Sequence, residues 1–131
     1  MHTVSLPQYA IERGRVMHPL KMLDSARTAV LAIDFQRFFI DADQPMGNVH
    51  ARDMLATANR VHASVRNKGG LVTNGCCDCT ARDGFQYGFN MVVAADATAA
   101  MTDEEHNAAL LNLEIYYARV LDAEGIAAIL A

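Results

Sequence analysis

Short continuous apolar runs alternate along this chain with stretches whose apolar residues recur every three or four positions. Thr28-Ala29-Val30-Leu31-Ala32-Ile33 is one such run, and it ends at Asp34. A run of this kind suits a strand covered on both faces, as in a parallel sheet. Leu55, Ala58, Val61 and Val65 keep helical spacing and predict a helix over 52–67, which Gly69-Gly70 ends. Leu71-Val72-Thr73 reads as a second strand. Residues 77–88 read as a helix closing at Gly88, and 91–95 as a third strand closed by Asp96. Thr102-Asp103-Glu104-Glu105 has the form of a capping box, with Thr at the cap and Glu three residues on. The helix it opens should run to about residue 117, with His106, Leu110, Leu113 and Tyr117 on one stripe. Arg119-Val120-Leu121 reads as a last edge strand. Asp122 is a cap for a short final helix, which Gly125 weakens. Residues 1–27, with Pro7 and Pro19, read as an irregular N-terminal arm. Residues 35–50 read as a loop that packs part of its Phe35, Phe38, Phe39 and Ile40.

Strand and helix alternate, the pattern of an α/β domain with a mostly parallel sheet. The length of 131 residues suits one domain, 1–131, with its own core. Hydrophobic residues make up 52% and charged residues 20%, a globular balance. The formal net charge of −4 gives no basic stripe, so nucleic acid is not an expected partner. Three cysteines, two of them adjacent, do not make a disulfide framework. No apolar run is long enough to span a bilayer and no leader pattern opens the chain, so a cytoplasmic protein without a membrane partner is expected.

The chemistry concentrates in Thr73-Asn74-Gly75-Cys76-Cys77-Asp78-Cys79-Thr80-Ala81-Arg82-Asp83. A cysteine between a strand end and a helix start meets free backbone N–H groups and a helix dipole that favour the thiolate. In parallel sheets ligands sit at the carboxyl ends of strands. Asp34 and Cys76 both lie at or just past such ends.

Three stretches together resemble the isochorismatase-like cysteine hydrolase superfamily, which includes nicotinamidases, N-carbamoylsarcosine amidases and ureidoacrylate amidohydrolases. Ala29-Val30-Leu31-Ala32-Ile33-Asp34-Phe35-Gln36 resembles its first strand and catalytic aspartate. The cysteine run resembles its nucleophile loop. Asp96-Ala97-Thr98-Ala99-Ala100, with Thr102-Asp103-Glu104-Glu105-His106, resembles the next strand end and the last long helix. The resemblance implies a three-layer, mostly parallel, Rossmann-like α/β fold, here shortened. It implies that Cys76 attacks the carbonyl of a small amide or carbamoyl (ureido) compound while Asp34 takes the thiol proton and passes it to the leaving amine. Water then opens the thioester. Backbone N–H groups of Gly75 and Cys76 would form the oxyanion hole, a contribution of about 2.7–4 kcal/mol per donor. Phe35, Phe39 and Asn74 are candidates for the substrate pocket. A homo-oligomer is expected, and neither a cofactor nor a metal.

One departure from the family pattern stands out. The family triad includes a lysine between the aspartate and the cysteine, and here the lysines are Lys21 and Lys68. Lys68 precedes the cysteine strand at its amino end, up to ~26 Å of extended chain from Cys76. Complete relatives are longer. In this chain Gly69-Gly70-Leu71-Val72 runs straight into Thr73-Asn74-Gly75-Cys76, as though the start of one strand were fused to the end of another. If the fused strand takes the second-strand side of the first strand, Cys76 loses its family position relative to Asp34; if it takes the nucleophile side, the 52–67 helix moves across, all helices gather on one face and the other is left bare. The alternative function is therefore a catalytically impaired homologue serving as an oligomeric structural or binding protein. Other candidates read as structural: Cys77 and Cys79 as buried packing residues, Arg82 with Asp83 as an ion pair, His106 as a surface or interface residue. Cys-Cys-x-Cys lacks the fourth ligand of a closed zinc site.

Overall fold

A computed structural model of the chain describes residues 2–24, 27–28, 37–45, 47–66 and 76–130; of 38, 39, 62–66 and 76 it describes the backbone. The elements are α1 (Gln8–Met17), α2 (Arg37–Ile40), α3 (Val49–Arg66), α4 (Cys76–Gln86), β1 (Met91–Ala94), a 3-10 turn (Ala95–Ala97), α5 (Asp103–Tyr116), β2 (Ala118–Leu121) and α6 (Ala123–Ile129). The α/β class expected from the alternation is what these elements form. Of the strands predicted over 28–33 and 71–73, residues 29–33 and 71–73 lie outside the described residues.

β1 and β2 pair in parallel, with Met91 opposite Ala118 and Ala94 opposite Leu121. Side chains of a strand alternate between faces, and here the two faces meet different helices. Val92 and Ala94 pack with Ala51, Met54, Ala58 and Val61 of α3 and Ile126 of α6. Met91, Val93, Ala118 and Val120 pack with Ala81 of α4 and Leu110 and Leu113 of α5. Both faces of β1 are thus covered.

The local signals explain most of the boundaries. Thr102 Oγ1 accepts the Glu105 N–H at 3.2 Å, and Glu105 Oε2 accepts the Thr102 N–H at 3.2 Å, so the predicted capping box is formed. Asp122 Oδ1 accepts the Gly125 N–H at 2.7 Å and caps α6. Beyond α4, the Phe89 N–H bonds the Gly84 carbonyl and the Gly88 N–H bonds the Phe85 carbonyl. That is a Schellman stop, and Gly88 takes the left-handed φ of 83° that it needs. Asn48 caps α3, its Oδ1 accepting the His50 N–H at 2.8 Å.

Three readings of the sequence are corrected. The N-terminal arm is not irregular throughout, because residues 8–17 are helical. Ala10 and Gly14 are its buried positions, and α1 lies along α5. Within 35–50, residues 37–40 form a helical turn, held by Arg37 and Arg52 on the Asp41 carboxylate. The inner stripe of α3 is Ala51, Met54, Ala58 and Val61, with Leu55 only half-buried. Two apolar stripes overlap at Ala58 and Val61, and packing against α6 and the 3-10 turn selects the one through Met54.

Between α1, α5 and β2 lies a buried ion pair. Glu114, 1% exposed, accepts from the Arg119 guanidinium and from the Val120 N–H. Burial pushes the Glu114 carboxyl up, and those two donors pull it back. Gly14 passes so close that a methyl group there would collide with this carboxylate.

Candidate functional site

Asp34, Phe35, Asn74 and Gly75 lie outside the described residues, as does Lys68, and the side chains of Phe39 and Cys76 are likewise not described. The backbone of Cys76 is: it is the first residue of the eleven-residue helix α4. The N–H groups of a first helical turn have no partner within the helix and carry the positive end of its dipole. The acidic residue of that turn, Asp78, is neutralised. Arg82, one helical turn on, donates to its two carboxylate oxygens at 2.8 and 3.0 Å. Arg82 also donates to Asn112 Oδ1 at 2.9 Å and lies 4.4 Å over the Tyr117 ring, which fixes α4 to the end of α5.

That pair corrects two expectations about the cysteine run. Arg82 joins Asp78 rather than Asp83, since residues four apart share a helix face and adjacent ones do not. Cys77 is buried at 3%, as expected, but Cys79 is exposed. Two helical positions amount to some 200° of rotation, so both could not face inward. α4 leads into β1 with Gly84 against Met91, and Ala81, a turn earlier, packs in the cluster of Val93 and Ala95. The helix therefore runs back along β1, and its Cys76 end lies toward the strand's carboxyl end.

A second group of polar side chains gathers beyond that same strand end. His106 is not a surface residue. It is 3% exposed, its Nε2 is 3.1 Å from the Ala95 carbonyl, and burial lowers its pKa from 6.5 to about 4. The His2 ring stacks between His106, at 4.3 Å, and His50, at 4.0 Å. His2 Nδ1 lies 2.6 Å from Asp103 Oδ1, which holds that carboxyl below the usual carboxylate range. His2 Nε2 lies 3.0 Å from the Ala100 nitrogen and 3.1 Å from its oxygen. With the Nδ1–H donating to Asp103 Oδ1, Nε2 is the acceptor of the Ala100 N–H. The three histidines are separated by 48 or more positions, and no spacing in the sequence announces the group. Asp96, expected to close the third strand, accepts the Ala123 N–H at 2.8 Å and so clamps the start of α6; burial raises its pKa.

A cavity of about 670 Å³ opens at the amino-terminal half of β1, lined by Leu20, Arg27, Asp83, Asn90 and Met91 among others. Thr80, one helical turn from Cys76 on α4, also lines it.

These elements are also where the chain is similar to known proteins. The isochorismatase domain model matches residues 69–125, from just before the cysteine run to the start of α6. Over 55 residues the chain is 42% identical to nicotinamidase 3 of Arabidopsis thaliana, covering 42% of this chain and 28% of that protein. Over 57 residues it is 39% identical to the uncharacterized isochorismatase family protein YecD of Escherichia coli O157:H7, covering 44% of this chain and 30% of the relative. Through this part the chain is similar to the isochorismatase family. The matched stretch spans less than a third of either curated relative, and the domain match does not reach Asp34. No solved structure matches the chain significantly. No helix among the described residues is long and apolar enough to cross a membrane.

Proposed function

We propose that this protein is a cysteine hydrolase acting on a small amide or carbamoyl compound. One observation carries the reading: Cys76 opens α4 inside the segment that the isochorismatase domain model matches. In this proposal the Cys76 thiolate attacks the amide carbonyl and the backbone N–H groups of Gly75 and Cys76 hold the oxyanion. Asp34 takes the thiol proton and returns it to the leaving amine, and water releases the acid. Phe35, Phe39 and Asn74 shape the pocket. The strands over 28–33 and 71–73 extend β1 and β2 into a mostly parallel sheet in the middle of three layers. No lysine takes part, so the α4 N-terminus is the chief support of the thiolate and turnover is slow compared with a complete triad.

The test is ammonia release from nicotinamide and from small ureido acids by the wild type and by Cys76→Ala and Asp34→Asn. Both variants should lose the activity, and peptide mapping after limited iodoacetamide should find Cys76 labelled faster at neutral pH than the exposed Cys79. Hydrolysis retained by Cys76→Ala would sink the proposal. Tyr87, Phe89 and Met22, at 83%, 67% and 62% exposure, favour a homo-oligomer. If Cys76 proves inert, assembly through such a surface is the second reading, and sedimentation of the intact chain checks it.

A further inference from the structure

We propose that His2, His50 and Asp103 bind a divalent transition-metal cation of the zinc class. One ligand atom from each of the three lies within 4.8 Å of the other two, close enough to share one ion. They come from three separate places: the N-terminal segment, the first turn of α3 and the first residue of α5. None is in the cysteine run, and the site is independent of the hydrolase reading.

Four features support the site. First, His50 Nδ1 is buried and has no hydrogen-bond partner among the described residues. Buried polar atoms are ordinarily paired, and a cation gives this nitrogen its partner. Second, the His2 ring is oriented from behind. When Nδ1 binds the ion the ring proton sits on Nε2, which then donates to the Ala100 carbonyl already 3.1 Å away and gives up the Ala100 N–H that it accepts at 3.0 Å in the ion-free ring. A backbone carbonyl behind a ligating imidazole is the usual means of fixing its tautomer. Third, Asp103 supplies a carboxylate whose Oδ1 lies 2.6 Å from His2 Nδ1. Together with Glu104 and Glu105 it offsets the positive end of the α5 dipole. Fourth, two imidazoles and one carboxylate suit zinc, cobalt or nickel rather than calcium or magnesium, which prefer oxygen ligands. Three protein ligands leave one position for water. Binding requires the His50 ring to turn out of its stack on His2, because two near-parallel rings cannot both hold an ion in their planes. The ion then ties the N-terminal segment to α3 and α5.

The experiment is a titration of the metal-free full chain with Co²⁺, read by visible absorption. The expected result is saturation at one ion per chain, with ligand-field bands of a four- or five-coordinate ion and no thiolate-to-cobalt absorption in the near ultraviolet. His50→Asn and Asp103→Asn should each bind about tenfold more weakly or worse, while His18→Asn binds as the wild type does. Zn²⁺ added to the ¹⁵N-labelled wild type should shift the ring nitrogens of His2 and His50 and not those of His18, which keeps the test decisive if a variant does not fold. Unsaturable binding, a thiolate band, or unchanged His2 and His50 nitrogens with Zn²⁺ would overturn the site.

Discussion

Acid should weaken the fold through His106. The ring is enclosed by α5, the 3-10 turn and the His2 ring, and its pKa falls from 6.5 to about 4. The neutral form is therefore favoured in the fold. Between those two values the unfolded chain binds more protons than the folded one, so stability rises with pH through this window and is lost as pH falls. The linkage relation puts the loss from about pH 7 to about pH 5 near 2 kcal/mol for this one group, approaching 3 kcal/mol by about pH 4. A loss of 2 kcal/mol lowers the melting temperature of a chain this size by about 6–10 °C. His106→Gln removes the titration while its amide can still donate to the Ala95 carbonyl. Urea unfolding of both proteins at each pH isolates the effect, since the carboxylates are common to both. The wild type should lose about 2 kcal/mol more than the variant on acidification. Parallel losses in the two proteins, within about 0.5 kcal/mol, would show that His106 is not held neutral and would refute the reasoning.

Other outcomes follow from the same packing. Glu114→Ala strands Arg119 without its carboxylate and should cost about 3–5 kcal/mol in chemical denaturation, whereas Glu114→Leu with Arg119→Met should recover most of it. Gly14→Ala forces a methyl group onto the Glu114 carboxylate and should lower the melting temperature, by an amount that shrinks when Glu114 is already alanine; equal shifts in both backgrounds would mean that α1 does not rest on this pair. Cys79 should react with a bulky maleimide in the native state and Cys77 only on unfolding, which mass mapping of the labelled peptides reads directly.

What could be read in advance was local. Thr102 with Glu105, Asp122 ahead of Gly125, and Gly88 after α4 each settle a boundary through bonds to the nearest few residues. What could not be read depends on partners far along the chain. α1 carries no apolar stripe; its inward positions are Ala10 and Gly14, whose smallness lets α5 approach. Glu114 and His106 sit on or beside the inner stripe of α5, yet their residue types suggest solvent. Only the partners Arg119, Val120, Ala95 and His2 make burial tolerable there. The cysteine run showed where α4 begins, and helical rotation then decided that Cys77 and Cys79 part company. The group around His2 had no sequence signature, because its members meet only after the chain folds.

The bonds that hold the first residues span nearly the whole chain. His2 reaches Asp103, the Ser5 N–H reaches Asn107 Oδ1 at 2.6 Å, and the Asn107 amide returns to the Thr3 carbonyl at 2.8 Å. During synthesis the N-terminus therefore leaves the ribosome long before anything it can dock on exists. At about 5–20 residues per second it waits several seconds, with Ala10 and Gly14 uncovered. Contacts of such long sequence separation also slow the search once the chain is complete. Docking of the N-terminal segment should thus come late in folding, and a nascent chain arrested before residue 100 should still present that segment to a protease.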